Sequence, residues 1–358
     1  MFYIYFFLTS LFSKYEVIQL PDEHFNKQYN IDYLKFNNDY FYYDKEINDN
    51  CMISMHNLNN SEKEYYLHMD KSLTNTNSCS KVIISNIVSV QDSIYFVLAR
   101  KLLKYVYNKQ SDLFLFQEFT DLDFYFQKGI QYYANKLYLQ YPYLIGAKCE
   151  FNPRFPDHNY YYFKVNLSDY KDNSFKDIAY PSNFYWTLFQ PKSIIDFAQD
   201  VQLRSELSNY KIDIFDFNNN LLTTLSREIV DWVGDSTDFE FDGITNFNYF
   251  ISEKHRIISE ISLVHKVNFI NPNLIMVCYS KADSSKKSIE NLNIFYDFWK
   301  QEEGSWNLVK SDIHKEDIVK NNGKFVYQQY TIITNNLFHI DIDEDDGSYK
   351  IFRFVYDN

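Results

Sequence analysis

The chain has 358 residues, with 35 basic and 48 acidic side chains that give it a formal net charge of −13 at pH 7. This length accommodates two domains or one large one with a sizeable core. A surface this negative repels phosphate backbones, and no basic stripe with interleaved aromatic residues offsets it, which argues against a nucleic-acid partner. The four cysteines form no C-x-x-C pair, so we expect free thiols in or near a core: Cys51, Cys79, Cys149 and Cys278.

The residue usage is strongly biased. Aromatic residues make up 20% of the chain, whereas there are only 7 Gly and 7 Pro, well below the average usage of roughly 7% and 5%. Ala and Arg are scarce, while Asn, Ile, Lys, Phe and Tyr are abundant. This pattern is typical of extreme AT bias in a genome, so a single Asn or Lys run carries little functional weight.

In this composition and in its start, "MFYIYFFLTSLF", the chain resembles the mitochondrion-encoded orphan proteins of AT-rich protist genomes, such as those of ciliates. The resemblance spans the whole chain and rests on no motif. Many proteins of that group are lineage-specific subunits of respiratory complexes or mitochondrial ribosomes, so the resemblance implies a subunit rather than a free enzyme. Nuclear genes of AT-rich parasites, low-GC bacteria and large viruses share the same bias.

Residues 1–25 form an apolar N-terminal segment. The almost wholly apolar run from residue 1 to residue 12 is shorter than the roughly 20 residues that a spanning helix needs, and no Lys or Arg precedes it as in a secretory signal. Two interpretations remain open. The run is either a buried or edge segment of the protein, or a short anchor in a membrane or a partner.

Residues 26–85 are rich in Asn, Asp, Ser and Tyr, and their apolar side chains are too scattered to define one face. We expect an extended arm there. Residues 86–150 show helical spacing instead, because capping-box patterns at residues 89–92 and 120–123 each precede a helical apolar stripe. The sequence therefore predicts a helical hairpin in this region.

From residue 151 to residue 358 the apolar residues alternate with polar ones, as in "YYYFKVNL" and "KIDIFDF", and Pro, Asn and Asp clusters separate the runs. This rhythm predicts an antiparallel meander that folds as a sandwich or a barrel, interrupted by one helix at residues 193–207. The predicted fold class is α+β: a helical hairpin followed by a large antiparallel β region.

The stretch "HIDIDEDDGSYKIF", residues 339–352, resembles a calcium loop at first sight. An EF-hand needs a glycine at position 6 and a bidentate Glu at position 12, but Asp346 and Phe352 stand there. Alternating apolar residues around Asp346-Gly347 favour a β-hairpin. We therefore predict no tight calcium site, and a single cation on residues 343–345 stays an alternative.

No motif for catalysis is present. The seven glycines are isolated, and the chain lacks G-x-S-x-G, H-E-x-x-H and C-x-x-C-H patterns. Asp238, Glu240 and Asp242 share one face of a predicted strand and offer a carboxylate site, although a solvated strand face explains them more simply. His255 and His265 have no carboxylate at metal-ligand spacing. We predict no catalytic, cofactor-binding or metal-binding residues and no cofactor.

These observations favour a non-catalytic accessory or scaffold subunit of a large membrane-associated assembly, with a mitochondrial respiratory complex as the candidate. The expected partners are other protein subunits and, through residues 1–12, a membrane. The resemblance to mitochondrion-encoded proteins implies that this membrane is the mitochondrial inner membrane. Two alternatives remain: a secreted or surface-exposed β-rich binding protein, and a hydrolase that uses carboxylates.

Overall fold

The structure is a computed structural model. It describes residues 14–19, 35–36, 40–47, 50–57, 60–68, 87–98, 101–121, 131–151, 160–169, 171–178, 195–206, 208–234, 260–283, 293–314, 329–333, 336–342 and 349–355. Within these ranges the chain contains 24 β-strands and no helix.

The strands are short, and most follow one another closely along the chain. The first eight are β1 (Lys14–Gln19), β2 (Lys35–Phe36), β3 (Tyr40–Ile47), β4 (Asn50–Asn57), β5 (Asn60–His68), β6 (Val88–Val90), β7 (Ser93–Leu98) and β8 (Lys101–Asn108). The next eight are β9 (Leu113–Asp121), β10 (Gln131–Gln140), β11 (Tyr143–Phe151), β12 (Tyr160–Asn166), β13 (Asn173–Ile178), β14 (Ile195–Ala198), β15 (Val201–Ser205) and β16 (Lys211–Asp216). The last eight are β17 (Leu221–Ser226), β18 (Leu263–Asn271), β19 (Leu274–Ser280), β20 (Ile294–Glu302), β21 (Ser305–His314), β22 (Gln329–Ile333), β23 (Asn336–Ile342) and β24 (Tyr349–Val355).

These strands form six four-stranded sheets. Sheets 1 to 5 each take four consecutive strands in chain order: β2–β5, β6–β9, β10–β13, β14–β17 and β18–β21. Sheet 6 has the order β1-β24-β23-β22, so the first described strand completes the sheet made by the last three. A run of four-stranded sheets in sequence is the pattern of β-propeller blades, and this strand order places the chain in the all-β class.

The chain divides into two compact units. The first contains Lys176–Lys320 with Cys149–Tyr162 and Met1–Tyr5, and the second contains Phe6–Lys148, Phe163–Phe175 and Asn321–Asn358. Sheets 4 and 5 lie in the first unit, and sheets 1, 2 and 6 lie in the second.

The core of the first unit lies between sheets 4 and 5. Every residue of β19 is buried, which is expected of a strand that is covered on both faces. Large buried side chains from both sheets pack together in this core, among them Leu203, Ile212, Val267 and Tyr279. Each such side chain contributes roughly 1.5–3 kcal/mol when it leaves water.

The second unit contains two cores, one on each face of sheet 2. Ile94 and Phe96 of β7 pack against Tyr42 and Leu67 of sheet 1. Tyr95 of the same strand faces the opposite way and joins a core with residues of sheet 3. Alternate residues of β7 therefore pack into two different cores, one shared with sheet 1 and the other with sheet 3.

The predicted α+β fold class, with its helical hairpin, is wrong. Residues 93–98 and 101–108 are strands β7 and β8, and residues 89–92, which were interpreted as a helix cap, include a turn in which Gln91 has a φ of 52°. The burial of both faces makes the strand apolar throughout, so a helical stripe can be drawn through it by chance. The second predicted stripe begins in residues 122–130, which lie outside the described residues.

The predicted helix at residues 193–207 is wrong for the same reason. Strands β14 and β15 occupy residues 195–205, and all four residues of β14 are buried.

The region expected to form an arm contains β3, β4 and β5, whose Tyr42, Ile53 and Leu67 are fully buried. Alternation in these strands is obscured by the many Tyr and Asn residues.

The pairing expected near the C terminus is confirmed. β23 and β24 pair antiparallel from Asn336↔Val355 to Ile342↔Tyr349. The connection between them, residues 343–348, lies outside the described residues. So does the apolar run of residues 1–12. Among the residues that the structure describes, no helix has the length and apolar character needed to span a membrane.

Candidate functional site

A buried carboxylate, Asp297, is the centre of a polar cluster in the first unit. It lies in the middle of β20 within "FYDFW" and is 0% exposed. Taking an ionised carboxylate out of water costs several kcal/mol unless it is paired and hydrogen-bonded. Its partners should therefore lie close by, and they do.

Arg227 forms a two-point ion pair with this carboxylate. Its Nε lies 2.6 Å from Asp297 Oδ2, and its Nη2 lies 3.0 Å from Asp297 Oδ1. Tyr210 Oη donates a further hydrogen bond to Oδ2 at 2.6 Å, and Trp299 Nε1 donates to Tyr210 Oη at 3.1 Å. This geometry fixes the guanidinium in one plane. Arg227 follows β17 directly, so the pair ties sheet 4 to sheet 5.

Asp297 also shapes the neighbouring strand. Tyr296 pairs with Ile313, and Phe298 pairs with Lys310, so Asp297 faces two residues of β21 in a β-bulge. One of them, Asp312, has a φ of 53°, and its backbone N–H donates to Asp297 Oδ1 at 2.8 Å. The buried carboxylate thus stabilises a backbone conformation that costs energy for a residue other than glycine.

The side chain of Asp312 meets three donors near the surface. Arg227 Nη2 and Lys281 Nζ lie 3.0 and 3.2 Å from its oxygens, and Tyr279 Oη donates to Oδ1 at 2.9 Å. Burial acts to raise the pKa of Asp312, but the hydrogen bonds from these three side chains outweigh it and lower the pKa. Burial and Asp297 raise the pKa of Tyr279. Asp312 therefore stays ionised at neutral pH. We call Arg227, Tyr279, Lys281, Asp297 and Asp312 the Asp297 cluster.

A second polar cluster lies in sheet 1. Ser54 Oγ donates to Glu64 Oε1, and Tyr66 Oη donates to Glu64 Oε2 at 2.6 Å. His56 Nε2 lies 3.3 Å from Ser54 Oγ and 3.5 Å from Glu64 Oε1. The ring of His56 stacks on Phe41, with centroids 4.7 Å apart.

This cluster contains the residue types of a catalytic triad but not its geometry. A triad needs the carboxylate on one ring nitrogen of the histidine and the serine on the other, whereas both Ser54 and Glu64 approach Nε2. Ser54 and His56 are 0% and 1% exposed, so no substrate reaches the hydroxyl. The cluster satisfies buried polar groups and has the character of a structural network. Sequence reasoning missed it, although Ser54 and His56 share one strand face.

A second buried carboxylate, Asp196, joins β14 to β18. Its Oδ2 accepts hydrogen bonds from Phe269 N at 2.7 Å and from Asn268 Nδ2 at 3.0 Å. Asp196 is 3% exposed. The hydrogen bonds to β18 explain why a polar residue occurs in this buried strand. Asp196 is not part of a helix cap.

The outer edge of sheet 2 carries a different feature. β9 is the last strand of this sheet, and among the described residues it pairs only with β8. Leu113, Leu115 and Phe116 on this strand are 45%, 46% and 44% exposed. We call these three residues the β9 edge. Exposed apolar residues on an unpaired strand edge are typical of sites where another chain adds or packs.

The charges beside the β9 edge are paired with one another. Lys104 Nζ lies 3.4 Å from Glu118 Oε1, and Lys63 Nζ lies 3.0 Å from Asp112 Oδ1. The edge therefore presents apolar groups within a locally neutral frame, although the whole chain is strongly acidic.

The candidate residues of the sequence analysis are only partly described. Asp238, Glu240, Asp242 and His255, together with residues 343–345, lie outside the described residues. His265 lies in β18, where its Nε2 is 2.7 Å from Ser280 Oγ. Cys278 is buried in β19, and burial raises the pKa of its thiol to about 11. Across the described ranges, no group of three or more His, Cys, Asp and Glu side chains is placed to hold a metal ion.

Comparisons with known proteins give no family. No family model matches the chain, and no curated protein matches it. Among solved structures, the chain is similar to the WD40 domain from Toxoplasma gondii coronin, with a TM-score of 0.42, 8% identity, and coverage of 97% of this chain and 88% of the other. It is also similar to the N-terminal domain of Nup159, with a TM-score of 0.39, 10% identity, and coverage of 90% and 89%. A third similar structure is a luciferin-regenerating enzyme, with a TM-score of 0.41, 8% identity, and coverage of 88% of this chain and 87% of the other. The all-β assignment rests on the chain's own strand pairing.

Proposed function

We propose that the protein is a non-catalytic interaction scaffold that binds another protein through the β9 edge. The observation that carries this proposal is that three large apolar side chains stay about half exposed on an edge strand, with Leu113 and Leu115 on one face and Phe116 on the other. Each is already more than half buried, so a partner that covers the rest gains roughly half of the 1.5–3 kcal/mol of full burial per side chain. The paired charges on either side favour an apolar partner segment over a highly charged one.

The polar clusters support the non-catalytic part of the proposal. In the Asp297 cluster each carboxylate meets cationic and hydroxyl donors, and the pKa of Asp312 is lowered, away from the range of a general acid at neutral pH. In sheet 1, Ser54 and His56 are buried. Both clusters bind residues of the chain itself.

We further propose that the scaffold belongs to a membrane-associated assembly, with the mitochondrial inner membrane as its location and a respiratory complex as the assembly. The AT-biased composition and the apolar run of residues 1–12 support this proposal. A secreted or surface-exposed binding protein is the alternative, and it shares the same β9 edge.

Site-specific photo-crosslinking in the native cell tests the scaffold proposal. A photoreactive residue at Leu115 should give one discrete adduct of higher mass, because the partner covers this side chain. The matched control is Gln110, which is exposed in the adjacent turn and should give none. Leu115→Asp, combined with the photoreactive residue at Leu113, should abolish the adduct. The proposal would be refuted if photoreactive residues at Leu115 and at Leu113, the latter with Leu115 intact, both gave only uncrosslinked chain.

A further inference from the structure

The two carboxylates of the Asp297 cluster are held in different ways. Asp297 is 0% exposed and receives two nitrogens of Arg227. The side chain of Asp312 is 40% exposed and is held only at its carboxylate, by Arg227, Tyr279 and Lys281. Asp297 is thus an integral part of the core, whereas Asp312 occupies a position that opens to solvent.

The donors around Asp312 are positioned without it. The bond between Arg227 Nε and Asp297 Oδ2 fixes the guanidinium, and Tyr279 packs edge-on against Tyr210 and stacks on Phe295. Lys281 Nζ lies 5.0 Å from the centroid of the Phe295 ring. None of these contacts involves the Asp312 side chain, so the guanidinium, the Tyr279 ring and the ammonium are held beside the same point without it.

The backbone of Asp312 stays in place during such a rotation. Its N–H donates to Asp297 Oδ1 at 2.8 Å, and its φ of 53° belongs to the bulge rather than to the side chain. A change of side-chain rotamer therefore leaves the bulge intact. Two cations then face one buried carboxylate, so the vacated position carries a net positive charge in a chain whose formal charge is −13.

We propose that Arg227, Tyr279 and Lys281 form a binding site for a single carboxylate group, and that Asp312 is its internal occupant. The carboxylate of an acidic ligand displaces the Asp312 side chain and takes the same three donors. Two cationic donors and a hydroxyl match one carboxylate. Because the surrounding protein is acidic, the site selects a ligand with one exposed carboxylate over a polyanion. This site is separate from the β9 edge and is independent of the partner proposed there.

Thermal unfolding in sodium acetate, with sodium chloride at the same ionic strength as the reference, tests this site. Asp312→Gly removes the internal occupant, and glycine tolerates the positive φ. Acetate should raise the Tm of this variant saturably, and half-saturation in the wild-type protein should need at least a tenfold higher acetate concentration. Adding Lys281→Gln to Asp312→Gly should remove most of the shift.

Asp112→Gly is the matched control. Asp112 also has a positive φ, of 55°, and its carboxylate meets a lysine and a tyrosine, but no arginine or buried carboxylate lies beside it. Its Tm should not respond to acetate beyond the response of the wild-type protein. Equal responses of the two glycine variants would refute the site. A wild-type protein that never responds to acetate, while Asp312→Gly does, would refute displacement of Asp312 by an external ligand.

Discussion

The ring of Phe163 lies directly against the backbone of Gly146. A Cβ built on Gly146 would come within 2.1 Å of Phe163 Cζ, which is far inside van der Waals contact. Phe163 is 3% exposed and belongs to the core between sheets 2 and 3. A glycine is therefore required here by a close approach between a strand backbone and a buried ring.

Gly146→Ala should destabilise the protein by about 1–3 kcal/mol, because the added methyl group forces Phe163 out of its position. Urea-induced unfolding followed by tyrosine and tryptophan fluorescence measures this change. Gly234→Ala is the control, since the nearest atoms to its Cβ are 3.9 Å away. Its stability should change little. If the two variants were equally stable, the packing of Phe163 on Gly146 would be incorrect.

Arg227→Gln should destabilise the protein by about 3–5 kcal/mol, because it leaves the fully buried Asp297 without its cationic partner. The control is Lys211→Gln, which breaks a partly exposed pair with Asp213 at 3.1 Å and should cost at most about 1 kcal/mol. Chemical denaturation of both variants gives the comparison. A loss no larger for Arg227→Gln than for Lys211→Gln would contradict the structural role of the Asp297 cluster.

Stability should decrease as the pH falls from 6.5 towards 4, in part because of His265. Burial lowers the pKa of this half-buried residue from 6.5 to about 4. The unfolded chain therefore takes up the proton at a higher pH than the folded chain does. His265 costs no stability above about pH 6.5, and the loss of stability that it causes grows to roughly 3 kcal/mol as the pH falls to about 4.

The measurement is the free energy of unfolding at several pH values for the wild-type protein and for His265→Gln, which retains a polar group beside Ser280. The difference between the two proteins should change with pH only between about pH 6.5 and pH 4. Parallel curves for the two proteins over this interval would show that His265 titrates normally in the folded state.

Hairpins joined by short turns can largely be predicted from the sequence. A strand that is buried on both faces, however, is easily mistaken for a helix. The alternation in "KIDIFDF" identifies β16, and its residues do alternate between buried and half-buried. In β7, by contrast, Tyr95 and Phe96 face different cores, so no polar residue marks the period of 2. Apolar residues four apart then suggest a helix that does not form.

The Asp297 cluster is harder to predict because its members are distant in sequence. Arg227 precedes Asp297 by 70 residues, and Tyr210 precedes it by 87. One local signal exists, since a single Asp between Tyr296 and Phe298 in an apolar strand predicts a buried charge that needs a partner. The identity of that partner depends on sheet order. The pairing of β1 with β24 is equally hard to predict, because alternating apolar and polar residues identify a strand but not the strand it pairs with.

Hydrogen exchange of β9 in the native assembly tests the claim that the β9 edge binds another protein. Half of the amides of an edge strand point away from its neighbour and exchange quickly in the isolated chain. In the assembly purified through a tag on this chain, the outward amides between residues 113 and 119 should exchange at least tenfold more slowly than in the isolated protein. Unchanged exchange of β9, with slower exchange elsewhere on the chain, would contradict the claim and place the partner on another surface.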